Sequence, residues 1–88
     1  MSRGKFHKPV IVQPGRIDRD RIVLSTRDAA LVLLRDWPHD KAQERREEAM
    51  KACLAVIKGK KPPSYARKAF VIAAKDARIL IHDGAESS

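Results

Sequence analysis

The sequence predicts a single α+β domain in the order β-β-α-α-α-β: a small antiparallel three-stranded sheet with helices packed on it. Three observations carry that prediction. Short β-branched apolar runs occur at residues 9–12, 22–24 and 79–81, the composition of strands. Three segments with helical apolar spacing lie between the second run and the third. The chain has 88 residues, enough for one hydrophobic core and too few for two.

The first strand is Val10, Ile11 and Val12 behind Pro9, which reads as an edge-type proline. Pro14-Gly15 is a turn signal and residues 16–20 form a polar connection. Ile22, Val23 and Leu24 make the second strand, and the two strands read as an antiparallel hairpin with a long loop. Ser25-Thr26-Arg27-Asp28 is a capping signature, with a hydroxyl for an unpaired backbone N–H and an acid three residues on. A helix then runs to about residue 36. At 100° per residue, Ala30, Leu33, Leu34 and Trp37 share one stripe, the expected core face, and Leu31 and Val32 fall off it. Pro38 ends this helix, because the residue before a proline disfavours the α region.

Asp40 is the expected cap of a second helix over residues 41–58. Its inward face is Ala42, Ala49, Met50, Cys53, Val56 and Ile57, while Glu44, Glu47, Glu48 and Lys51 face water. Glu47 and Lys51 stand in the favoured i,i+4 order. Gly59 sits where a left-handed C-cap is wanted. Ser64 is the expected cap of a third helix over about residues 65–77, whose buried face is Ala66, Ala69, Phe70, Ala73 and Ala77. Ile79, Leu80 and Ile81 form the third strand. With no hairpin partner in sequence, it must return to pair with an earlier strand. The basic arm at 1–8 and the tail at 83–88 are expected to be flexible.

Composition narrows the function classes. Hydrophobic residues make up 43% and charged residues 34%, a balance that excludes a disordered chain. The longest apolar runs are six residues, as at 29–34 and 69–74, far short of the ~20 that span a bilayer. No apolar segment follows the basic start, so no secretory signal is expected. A single cysteine, Cys53, can neither staple a monomer nor build a zinc site, and a reducing cytoplasm is the expected home. The 19 Lys and Arg against 11 Asp and Glu give a net charge of +8. That charge collects in two places, +4 over residues 1–21 and +5 over residues 60–78.

On the third helix Arg67, Lys68, Lys75 and Arg78 project within an arc of about 100°, opposite Ala66, Phe70 and Ala73. Lys60 and Lys61, with Lys58, extend the patch. Such a stripe suits a phosphate backbone, each contact releasing a counterion; its alternative reading is a solvated face. Aromatic interleaving is missing, and so are the motifs of helix-turn-helix, zinc-finger and ribonucleoprotein-sheet domains. Any nucleic-acid binding would then be led by the backbone.

The other candidates have plainer readings. Cys53 amid Ala49, Val56 and Ile57 reads as a small core hydrophobe. His7, His39 and His82 are scattered, and Asp36, His39 and Asp40 read as helix-end caps rather than a metal site. No phosphate loop, nucleophile elbow or paired-carboxylate motif is present, so neither an enzyme nor a cofactor is expected. Trp37 reads as core. Leu31 and Val32 are the clue to a partner interface, because one small monomer has few layers in which to hide both faces of the first helix.

In order along the chain stand Phe6 with Pro9-Val10 and Val12, then Ala30 to Leu34 ending in Trp37-Pro38. Ala49 with Cys53 follows, then Gly59, then a helix bearing Phe70, Ala73, Ala74 and Ala77. This ordered set resembles the small bacterial proteins grouped as domain of unknown function 982, over roughly residues 6–81. The resemblance implies a fold and a short stand-alone protein; it supplies no activity and no site residues. The function expected is that of a small non-enzymatic interaction or regulatory protein, with a homodimer or another protein as partner. The alternative is a nucleic-acid-binding module using the basic face of the third helix.

Overall fold

The computed structural model describes residues 5–14, 20–38 and 42–83. Strand β1 (Lys5–Val12) is followed by β2 (Arg21–Ser25) and by α1 (Thr26–Leu31), which runs into a π-helical turn (Val32–Asp36). Then come α2 (Gln43–Ile57), α3 (Pro63–Asp76) and β3 (Leu80–His82). The sheet order is β2-β1-β3 with both pairings antiparallel, so the expected hairpin and the expected return of the last strand both hold. Helices α1 and α3 pack on the sheet, and α2 packs on α1 and α3.

Strand β1 is longer than its sequence suggests, and it is central. It takes in Lys5 to Lys8, which the sequence assigns to a flexible arm; residues 1–4 and 84–88 lie outside the described residues. Pro9 therefore sits in a middle strand, not at an edge. The register explains how: Lys5 opposes Ser25 whereas Val10 opposes Val23, so β1 carries extra residues between those pairs. Prolines inside sheets are confined to such irregularities, where no ladder N–H is needed. On the other side β3 opposes only Ile11 and Val12, clear of Pro9.

The first helix is capped much as its sequence indicates. Ser25 Oγ accepts from the Asp28 N–H at 3.2 Å, and the Asp28 carboxylate accepts from the Leu24 N–H at 3.1 Å. Its core stripe, however, is one residue out of phase with the expectation. Thr26, Ala29, Val32 and Leu33 are buried, while Leu34 is 59% exposed. With six apolar residues in a row, two stripes fit equally, and burial of Thr26 selects the other one. Trp37 reaches the core by a different route: the chain leaves the helix there in an extended conformation (φ −71°, ψ 135°) and turns the indole inward. Its ring meets Phe70 edge-on, with centroids 6.3 Å apart.

Helix α2 begins at Gln43, with Ala42 before it in the left-handed region (φ 50°) and no side-chain cap; Asp40 lies outside the described residues. Its buried stripe is Ala49, Ala52, Cys53 and Val56, and Ile57, expected inside, is 56% exposed where the helix runs past the core. Gly59 takes the left-handed C-cap position (φ 80°) as expected. The Lys60 N–H bonds the Ala55 carbonyl and the Gly59 N–H bonds the Val56 carbonyl, a Schellman closure. Helix α3 starts earlier than Ser64 would set it. Pro62 is the N-cap and Pro63 the first helical residue, where a missing N–H costs nothing.

A groove between the second and third helices

Helices α2 and α3 bury one stripe each and line a groove with a second; on α2 the nearly buried Ala52 belongs to both. The second stripes are Glu48, Lys51, Ala52 and Ala55 on α2 and Tyr65, Lys68, Ala69 and Ile72 on α3, both spaced i, i+3, i+4, i+7. Alanine at 52, 55 and 69 keeps the surface low along the seam. The result is an open groove of about 520 Å³. Its floor is alanine, with Ile72 (45% exposed) and Tyr65 (47% exposed) standing in its wall.

Two further hollows adjoin this central stretch. Toward the α2–α3 connection, one shares Lys51 and Ala55 with it and is otherwise lined by Leu54, Lys58 and Lys60. At the opposite end Glu44 and Arg45 of α2 meet Asp76 of α3, so the two helices run antiparallel along it. Arg45 is paired with Glu48 at 2.9 Å, and that carboxylate holds the guanidinium pKa above its ordinary value. Lys61 lies over the Tyr65 ring, 5.1 Å from the centroid. The lysines thus gather at the connection and along both rims; Glu44 and Asp76 stand at the far end, and Glu48 lines the central stretch as well.

The structure separates the residues that the sequence groups as one basic face. Lys68 and Lys75 are exposed on α3, and Lys60 and Lys61 are exposed on the connection. Arg78 lies beyond the helix, in the left-handed position (φ 60°) that closes α3. Arg67 does not join them. It is half-buried against the sheet, where its Nε donates to the Lys8 carbonyl at 3.1 Å beside the β1 irregularity. Its Nη2 is enclosed, with no hydrogen-bond partner among the described residues. Arg46 plays the same part elsewhere: its Nε donates at 2.7 Å to the Leu33 carbonyl in the π turn. Both arginines satisfy backbone carbonyls where regular hydrogen bonding is broken. Arg21 is paired with Asp36, tying β2 to the end of the π turn.

The expected interface pair also divides. Val32 is buried in the core (1% exposed) and is withdrawn from any surface role; Leu31 remains at the surface, joined by Leu34. On the sheet side Ile22 and Leu24 are exposed, and Ile22 stands opposite half-buried Ile11. Cys53 is fully buried, and burial pushes its thiol pKa up to about 11, far from a reactive thiolate at neutral pH. Among the described residues no group of three His, Cys, Asp or Glu side chains could hold a metal ion. No helix among them is long and apolar enough to cross a membrane.

Of the groove's residues, Lys51 is expected to face water and Ala69 to be buried, and Ala69 is instead half-buried in the groove floor; none of Lys51, Ala52, Ala55, Tyr65, Ala69 and Ile72 stands out in the sequence as a site residue. A signal for them exists: two consecutive helices each carry a second stripe, offset from the core stripe and rich in alanine. It becomes informative only once the core stripes are known.

Fold and groove together define a small α+β protein in which a helical hairpin lies over a three-stranded sheet. Residues 8–81 match the family model described as Protein of unknown function (DUF982), and the chain belongs to that family, as the order of its landmarks suggested. It is similar to the NMR structure of Agrobacterium tumefaciens protein Atu1219, with a TM-score of 0.73 and 30% sequence identity. That match covers 98% of this chain and 84% of the other. No curated protein matches the chain.

Proposed function

We propose that this protein is a non-enzymatic interaction module that receives a segment of another protein in the α2–α3 groove. The observation that carries the reading is the groove's construction: an alanine floor and an Ile72–Tyr65 wall left open between charged rims. Small residues let a docking backbone come close, and the larger apolar side chains offer it contact area. Panning a random peptide library against the protein tests this. The selected peptides should compete with one another and lose affinity for Ile72→Glu. Selected peptides that bind Ile72→Glu and the parent chain alike would overturn it.

One observation weighs against nucleic acid on the basic face of α3: Arg67 is engaged with the Lys8 carbonyl, so the stripe loses one of its cations. Self-association has a separate basis in Ile22 and Leu24, exposed on β2. The strand edge beside them is partly closed, since the Leu24 N–H already bonds Asp28. A homodimer on this side would therefore join sheet faces rather than strand edges. Sedimentation equilibrium of the parent chain and Ile22→Lys decides it: a dimer lost in the variant supports this second reading, and a monomer in both removes it.

A further inference from the structure

Resting on the groove reading above, we infer that the segment received is an acidic amphipathic helix, lying along the α2–α3 seam with its acids against the lysine rims. Shape and charge point the same way. The seam runs between helices of 15 and 14 residues, a length of about 21 Å at 1.5 Å per residue, which matches some four turns of a docked helix. A third helix set into the valley between two others buries a stripe spaced i, i+3 or i+4, i+7, and both walls of this groove carry that spacing. Alanine at 52, 55 and 69 is what close approach of a helix backbone needs.

The charge selects the partner's sign. Lys51 and Lys68 line the central stretch with one acid, Glu48, whose carboxylate is paired with Arg45, and Lys58 and Lys60 stand in the adjoining hollow toward the connection. The chain's net charge of +8 opposes a second copy in the same place, because like-charged surfaces repel on approach. The structural arginines leave this assignment intact: Arg46 and Arg67 are occupied by backbone carbonyls. The cations beside the apolar floor are lysines, whose long stems add apolar surface to the rim while their ammonium groups stay in water.

Fluorescence anisotropy with designed peptides of about 15 residues, long enough to follow the seam, tests the inference. The first carries a leucine stripe at helical spacing flanked by glutamates. The second has the same leucines with lysine in place of glutamate, the third the same leucines with glutamine, and the fourth the glutamates without the leucines. The glutamate–leucine peptide should bind, and each of the others should bind at least ~10-fold more weakly. Lys51→Glu with Lys68→Glu should weaken the glutamate–leucine peptide ~10-fold or more at low salt, while circular dichroism shows an unchanged fold. Ile72→Glu should weaken it as well. Equal binding of the glutamine or lysine peptide at the groove would overturn the acidic partner and leave the groove reading standing. Equal binding of the leucine-free glutamates, or of duplex DNA, would overturn the amphipathic helix in favour of bare charge attraction. No binding of any peptide would overturn both.

Discussion

Arg67 and Lys68 are neighbours in sequence, alike in charge, and opposite in use. Arg67 lies on the flank of α3 turned to the sheet, holding the Lys8 carbonyl where β1 is irregular. Lys68 lies on the flank turned to α2, at the groove rim. One side of the helical layer uses its cations to satisfy backbone that regular structure leaves unpaired; the other holds them in solvent along the groove, where the proposed partner would meet them. Net charge alone cannot distinguish these roles, because 100° of helix rotation separates a structural cation from a solvent-exposed one.

The largest expected effect falls on the inward side. Arg67→Glu removes the donor to Lys8 and sets a half-buried carboxylate beside a carbonyl oxygen. It should cost about 3 kcal/mol or more of unfolding free energy. Lys68→Glu, one residue away, should stay within about 0.5 kcal/mol of the parent chain, as exposed substitutions usually do. Urea denaturation of the two variants reads the contrast directly, and equal losses would erase it.

Cys53 sharpens the same contrast on α2, where it faces inward from the stripe next to the groove. Burial raises the folded thiol pKa to about 11, whereas the unfolded thiol ionises near ~8.5. The folded state therefore keeps a proton that the unfolded chain releases. This contribution is complete below about pH 8.5 and is lost as the pH climbs from there toward 11, a decline of up to about 3 kcal/mol. Denaturation midpoints followed from pH 7 to pH 11 should fall more steeply for the parent chain than for Cys53→Ala. Parallel curves would show that the thiol is not sealed in the core.

The smallest expected effects lie at the helix ends. Helices α2 and α3 close with the same pair of hydrogen bonds, but Gly59 holds the left-handed position in one and Arg78 holds it in the other. Gly59→Ala should cost about 1 kcal/mol, and Arg78→Gly should stabilise by up to about 1 kcal/mol, because only glycine adopts that conformation without steric penalty. Thermal melts of the two variants should shift in opposite directions.

Much of this architecture was legible in the chain itself. The hairpin, the three helices, the returning strand and the Gly59 closure follow from β-branched runs, helical spacing and the preference of glycine for positive φ. What escaped has identifiable physical causes. The phase of α1 is ambiguous because its six apolar residues fit two stripes, so Leu34 and Val32 exchange places. Pro9 reads as an edge residue because a β irregularity leaves no mark in sequence beyond the proline. The start of α3 is set by Pro63 rather than by Ser64. The second cap was missed because Arg78 occupies a position where the rule looks for glycine. For the site, the lysines at 60, 61, 68 and 75 were legible as exposed charge. The groove was not, since it arises from how two helices meet, and Arg67 was misplaced because no local pattern shows a carbonyl arriving from residue 8.

If a partner docks on the outward seam of α2 and α3, the residues lining that seam must respond when it is added. Amide chemical-shift mapping on the isotope-labelled protein, titrated with the glutamate–leucine peptide, tests this most directly. The largest shifts should fall at Lys51, Ala55, Lys68, Ala69 and Ile72, with Ile22, Leu24 and Val10 unmoved. Shifts centred on Ile22 and Leu24, with the α2–α3 seam silent, would contradict it.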